Sequence, residues 1–201
     1  MRAGVAVGAY KPVASGAPSL EQRDGFQLWQ ASGQRGSLAE VTPQNFLAPL
    51  APPIAAELEG KQVSDKLIID GARQWSNRCQ FLVVEGAGGL LSPISWTLTN
   101  AALALELQFP VVLVSENRLG VVNQVLTTLT AARSIRLHVC CIVLNEIRYT
   151  EELAVQSNER LLRRFLETYP NAPKITRLPR DGVDFMPTVR WQDWVDIKRN
   201  E

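Results

Sequence analysis

Short apolar blocks rich in β-branched residues recur along this chain, each followed by a polar or glycine-rich stretch. Residues 81–84 run into Glu85-Gly86-Ala87-Gly88-Gly89, residues 111–114 into Ser115-Glu116-Asn117, and residues 139–144 into Asn145-Glu146. The runs are continuous rather than alternating, which predicts strands covered on both faces in a parallel sheet and not hairpins. A further strand is expected over 5–13, running into a loop, and a short one over 175–178. Helical patterns fall between them. Val122, Val125, Leu126 and Leu129 follow one apolar face, and Leu153, Leu161, Leu162, Phe165 and Leu166 another, with Arg160, Arg163 and Arg164 on its basic side. Residues 99–108 predict a helix ending before Pro110. Residues 64–77 predict another, with Leu67, Ile68 and Trp75 apolar and Gly71 out of place in its middle. The section 16–60 is less regular. It carries Pro18, Pro43, Pro49, Pro52 and Pro53 and reads as a short helix over 24–31, then a loop whose Pro-Pro step forbids a continuing helix. The repeated strand–helix order predicts an α/β fold with right-handed crossovers.

A chain of 201 residues is long enough to bury about 70% of its unfolded surface in one domain. Its 46% hydrophobic and 20% charged residues exclude a disordered tail. With 21 basic and 20 acidic residues the net charge is +1, so no global field would hold a polyanion, and nucleic acid is a weak candidate partner. Cys140 and Cys141 are adjacent in an apolar run and no CxxC spacing occurs, which predicts buried thiols in a reducing compartment. No apolar run of about 18 residues occurs and the beginning lacks the pattern of a secretory signal, so the expected location is the cytoplasm, without a membrane.

In an open α/β sheet, ligands bind at the carboxyl ends of the strands. Four tips are chemically suggestive. Lys11 is held extended by Pro12 and offers an ammonium for a developing anion, or is a solvated loop lysine. Ser15 follows it, with no histidine to serve as its base. His138 is the sole histidine and precedes a core strand, which disfavours a Ser-His-Asp hydrolase and rules out zinc held by several histidines. Glu85 ends an apolar strand, where an ionised carboxylate needs a hydrogen-bond donor, a cation or a metal. Its glycines can bring backbone N–H groups to an anion, or the whole is a strand-end acid making an N-cap with a tight turn behind it. Gly120 to Asn123 opens a helix whose N–H groups face a carboxylate or merely begin the helix. Asn145 has the donor and acceptor needed to read an adenine edge, or caps a turn. Asp24 is a second acidic ligand or the N-cap of the helix after it. No GxxxxGK[ST] segment occurs in these 201 residues.

The segments Tyr10-Lys11-Pro12-Val13-Ala14-Ser15-Gly16 and Val84-Glu85-Gly86-Ala87-Gly88-Gly89, with Gly120, Asn123 and Asn145, closely resemble dethiobiotin synthetase, through nearly the whole chain to about Pro179. The resemblance implies a three-layer, P-loop NTPase-like, mostly parallel sheet with helices on both faces, as a single domain over 1–201. It implies ATP- and Mg2+-dependent closure of a cyclic urea from 7,8-diaminononanoate and CO2. By likeness, Lys11 stabilises carbamate and transferring phosphoryl oxygens, and Ser15 lies beside the diamine-carbamate. Asp24 and Glu85 are the Mg2+-associated carboxylates, and Gly86, Ala87, Gly88 and Gly89 floor the diamine site. Gly120, Val121, Val122 and Asn123 receive the substrate carboxylate across a two-fold homodimer interface, and Asn145 with Leu178 and Pro179 forms the adenine edge.

The family pattern places a first strand, a P-loop and most of a first helix before the segment matched here, with Arg2-Ala3-Gly4-Val5 resembling the end of that helix. The expectation is therefore of an N-terminally truncated domain, from an internal methionine taken as the start or from a degenerate remnant. The alternatives to the ligase are a catalytically impaired diamine-binding or partner protein, and another ATP-dependent enzyme of the cobyrinate-synthase-like group.

Overall fold

The computed structural model describes residues 5–17, 19, 23–147 and 153–180. Arg2, Ala3 and Gly4, read as a helix end, and Pro18 lie outside them. The chain forms two compact units, Met1–Leu107 and Gln108–Glu201.

In the first unit, β1 (Val7–Tyr10) pairs in parallel with β4 (Phe81–Val84), and β2 (Val13–Ser15) in parallel with β3 (Gln44–Phe46). The single strand expected over 5–13 is thus two, in different pairings. Pro12 stands at the break, without an N–H to give a ladder, and the Lys11 amide turns to the Val41 carbonyl at 2.8 Å. Helices α1 (Asp24–Ala31), α2 (Leu38–Val41) and α4 (Asp65–Ser76) pack on β1, while α3 (Pro52–Leu58) packs on β2 and β3, and α5 (Asn100–Leu107) on α4. Helix α3 corrects the reading of Pro52-Pro53 as a loop. The prolines open the helix, where a missing N–H has no intrahelical acceptor to lose. Helix α2 was not expected either; it is one turn held by a capping box between Ser37 and Glu40.

Gly71 proves to be required inside α4. The buried Tyr10 hydroxyl donates to the carbonyls of Leu67 and Ile68 at 2.9 and 3.2 Å, and a Cβ on Gly71 would stand 2.2 Å from that oxygen. The glycine lets the helix lie directly on the tyrosine. Around it, Tyr10, Val41, Ala72 and Trp75 form one buried cluster, and Val13, Phe46, Ala55, Ile68, Ile94 and Leu103 belong to a second.

In the second unit, β5 (Val111–Glu116), β6 (Val139–Asn145) and β7 (Lys174–Leu178) form a parallel sheet in that order. Helix α6 (Val121–Ser134) packs on β5 and α7 (Leu153–Leu166) on β7. A register shift after Val111 passes over Cys140 and leaves Glu116, Asn145 and Leu178 level at the strand tips. Strand β6 is buried from Val139 to Leu144, as its continuous apolar run predicts. Coverage on both faces does not extend to every strand residue: Val83 is 43% and Val114 57% exposed. In α7 the inward stripe is Val155, Asn158, Leu162 and Leu166, whereas Leu153, Leu161 and Phe165 face solvent, so one buried position is polar.

Parallel strands with helices on both faces make this an α/β fold of the P-loop NTPase-like class. No helix among the described residues is long and apolar enough to cross a membrane. The three cysteines are free, and burial raises the thiols of Cys140 and Cys141 to about 11 and about 12, which keeps them protonated.

Candidate active site

The parallel register of β1 and β4 levels Tyr10 with Val84, so the next residue on each strand, Lys11 and Glu85, emerges side by side. The Glu85 amide continues the ladder by donating to the Tyr10 carbonyl at 2.9 Å. Lys11 is only 4% exposed, and its Nζ lies 2.6 Å from Glu85 Oε1 and 2.9 Å from Asp24 Oδ2, and donates to the Gly86 carbonyl at 3.2 Å. Two N–H groups of the ammonium are thereby hydrogen-bonded, and Asp24 adds a second ion pair. A buried cation requires such partners, because leaving it unpaired costs several kcal/mol.

Asp24 reaches this point from the first turn of α1. Arg23, not Asp24, is the N-cap residue, and it makes no side-chain cap; the N-cap reading of Asp24 is therefore set aside. The next residue, Gly25, is buried against Thr42, whose Oγ1 would stand 1.8 Å from an added Cβ. That close approach seats the start of α1 against the C-cap of α2. The Asp24 and Glu85 side chains remain 58% and 44% exposed, so one buried ammonium is flanked by two carboxylates still open to solvent. The formal charge of the trio is −1. Lys11 is not a solvated loop lysine, and Glu85 serves the lysine rather than a helix cap.

The loop after Glu85 is held by a residue the sequence reading passed over. Asn100, the first residue of α5, donates through Nδ2 to the carbonyls of Ala87 and Gly89, both at 2.8 Å, and accepts the Ala87 amide at 3.3 Å. Ser92 Oγ accepts the Gly89 amide at 2.9 Å. A Cβ on Gly86 would fall 2.2 Å from Asn100 Oδ1, and Gly88 has φ +80°, so two of the glycines are dictated by contact and by conformation. A cavity of about 210 Å3 has Ser15, Gly16, Arg23, Asp24 and Asn45 in its wall. The Ser15 hydroxyl donates to the Leu50 carbonyl at 2.6 Å, which leaves its oxygen as an acceptor toward a ligand. Arg23 and Asn45 were not singled out in the sequence. Their only signal is adjacency to Asp24 and to the short strand β3.

In the second unit, β6 and β7 bring Asn145 and Leu178 together as paired residues, with Pro179 next in the chain. Gly120 occupies the N-cap of α6 in the left-handed region at φ +91°. The Val121 amide is already given to the Arg118 carbonyl at 3.1 Å, so the anion-facing donors at this helix start are narrower than the span from Gly120 to Asn123. Val121 itself is buried and Asn123 exposed. His138 is exposed. Among the described residues no group of three or more histidine, cysteine, aspartate or glutamate side chains converges as a metal cage.

A family model described as an AAA domain matches residues 1–182. Together with the parallel fold and the charged strand tip, this defines the class as an α/β enzyme of the P-loop NTPase-like kind. Among curated proteins, the chain is 38% identical over 177 residues to the ATP-dependent dethiobiotin synthetase BioD of Rhodopirellula baltica, covering 81% of this chain and 69% of that protein. The BioD of an Anaeromyxobacter species is 40% identical over 148 residues, 74% of this chain and 66% of the relative. That of Anaeromyxobacter dehalogenans is 37% identical over 183 residues, 89% of this chain and 82% of the relative. The chain belongs to the dethiobiotin synthetase family.

Proposed function

We propose that this protein catalyses the ATP-dependent carboxylation and ring closure of 7,8-diaminononanoate with CO2, giving dethiobiotin, ADP and phosphate, with the chain 1–201 as a single catalytic domain. The observation that carries this reading is the convergence of Lys11, Asp24 and Glu85 on one strand tip of the first unit. One amine of the diamine adds to CO2 and loses a proton to give a carbamate. A carbamate oxygen then displaces ADP from the γ-phosphorus. The second amine attacks the carbonyl carbon and gives up a proton, the C–O bond to phosphate breaks, phosphate leaves, and the cyclic urea closes. Both reacting groups are anions, so the main task of the protein is electrostatic stabilisation and orientation. No protein nucleophile is needed.

Lys11 suits that task because its ammonium is fixed by its neighbours before substrate arrives, and substrate oxygens would take over one of its N–H groups. Ser15 would accept from the diamine-carbamate, and Gly86, Ala87, Gly88 and Gly89 would floor that site. Two half-exposed carboxylate oxygens with hard-donor chemistry fit Mg2+, which is commonly held by one or two carboxylates plus phosphate oxygens and water. Asp24 and Glu85 would hold it, and when bound it neutralises phosphoryl charge. In the second unit, Asn145, Leu178 and Pro179 would read adenine. The helix start at Gly120, Val122 and Asn123 would receive the substrate carboxylate at a homodimer interface, with the Val121 amide already bound to the Arg118 carbonyl. The proposed location is the cytoplasm.

The test is to incubate the protein with the diamine, Mg2+, ATP and 13C-bicarbonate. One labelled carbon should enter dethiobiotin for each ADP formed. Diamine binding without nucleotide-dependent product would favour the binding-protein alternative, and a different labelled product another enzyme of the group.

A further inference from the structure

We infer that the buried asparagine pair Asn117 and Asn158, with the Glu146–Arg177 ion pair, positions the base-reading edge of the second unit and sets its preference for adenine over guanine nucleotides. The inference rests on the reading of Asn145, Leu178 and Pro179 as that edge.

Asn117 follows β5 and Asn158 lies on the inward face of α7; each is 5% exposed. Such residues are ordinarily excluded from an apolar stripe unless both N–H groups of the amide are satisfied. Here they are. Asn158 Nδ2 donates to Asn117 Oδ1 at 2.9 Å and to the Arg118 carbonyl at 3.1 Å. Asn117 Nδ2 donates to Glu146 Oε1 and to the Val155 carbonyl, both at 3.2 Å. Arg177, from β7, pairs with the same glutamate oxygen.

The backbone of the strand tips is tied to the same group. The Asn117 amide donates to the Asn145 carbonyl at 2.8 Å, and the Glu146 amide donates to the Leu178 carbonyl at 2.8 Å. The peptide units around Asn145 are therefore fixed toward β5 on one side and β7 on the other. The half-buried Asn145 side chain stands outside this network, at the level of Leu178. Reading a base needs a donor and an acceptor held within a few tenths of an ångström, and a polar network buried at the strand tips supplies that rigidity. Asn117, Asn158, Glu146 and Arg177 are thus positioning residues.

The experiment compares Asn158→Ala, Arg177→Met and the conservative Arg177→Lys in the full enzyme. With one buried hydrogen-bonded pair lost, the KM for ATP should rise about tenfold and the ATP-over-GTP preference fall by about the same factor. The expected kcat at saturation and the KM for the diamine stay within about twofold, and Arg177→Lys should restore most of the preference. Arg177→Met alters the partly exposed end of the network and serves if Asn158→Ala fails to fold. A lowered melting temperature with unchanged ATP KM and base preference would overturn the inference. Asn145→Ala separates the two layers. If it leaves the preference intact, the edge reading and this inference fall together. If it abolishes the preference while the network variants do not, the inference alone falls.

Discussion

Glu85 was legible as a single residue because it follows an apolar run read as a strand, and Lys11 because Pro12 holds it extended at the edge of a sheet whose strand ends carry ligands in this fold class. That they touch was not legible, since it depends on the one register that levels Tyr10 with Val84. Asp24 was noticed, but its role stayed open until the start of α1 placed its carboxylate on the same ammonium. Asn100 and Asn158 gave no usable signal. An asparagine at a helix start or in an apolar stripe acquires meaning only from what lies across from it. Gly71 is the reverse case, a residue visible as an anomaly whose cause was hidden. Replacing it by alanine should gain ~1 kcal/mol of helix propensity and lose more than that, out of an overpacking cost of about 1–3 kcal/mol, against the buried Tyr10 ring. Denaturant unfolding of Gly71→Ala should therefore show a net loss of stability. Tyr10→Phe in that background should recover only part of it, because the ring carbon Cζ would also lie too close, at 2.7 Å. A more stable Gly71→Ala protein would refute this account of the glycine.

The longer patterned helices were read nearly to their ends, as α1, α4, α5 and α7 demonstrate. The elements missed were short. Strand β3 has three residues and α2 four, too few for a period to register. Helix α3 was missed for a different reason: proline stops a helix from within but starts one at its first position, and Pro52-Pro53 does the latter. The small helix α2 carries a measurable electrostatic signature. The Ser37 amide, then the Arg78 guanidinium and the Ser37 hydroxyl, hold the Glu40 carboxyl down at about 2, from an ordinary 4.5. A depressed carboxyl contributes stability that is complete above its unfolded value and is lost as pH falls toward its folded one. Thermal unfolding should therefore show a loss of stability from about pH 4.5 down toward 2, and Glu40→Gln, which keeps the N3 amide of the capping box, should flatten that loss. An acid profile identical in the variant would assign the loss to other carboxylates.

At the scale of the whole molecule, apolar runs and their order were enough for the α/β class and the parallel pairing, whereas the division into two compact units left no mark in composition. The charged tip of the first unit and the proposed base-reading edge of the second reflect a common physical rule. Both lie where parallel strands end and the chain exposes backbone groups to a ligand. They differ in what is buried there, an ammonium beside two carboxylates in one and an asparagine pair joined to the Glu146–Arg177 ion pair in the other. The proposed reaction requires the buried ammonium of Lys11 to stabilise the reacting anions. That requirement is tested most directly by the kcat of dethiobiotin formation in Lys11→Met at saturating diamine, bicarbonate and MgATP, with melting temperature as the control for folding. Loss of one preorganised charge at the reacting oxygens predicts a kcat lower by about 100- to 1,000-fold in a folded protein. A folded Lys11→Met enzyme turning over within about twofold of the unaltered one would contradict the account.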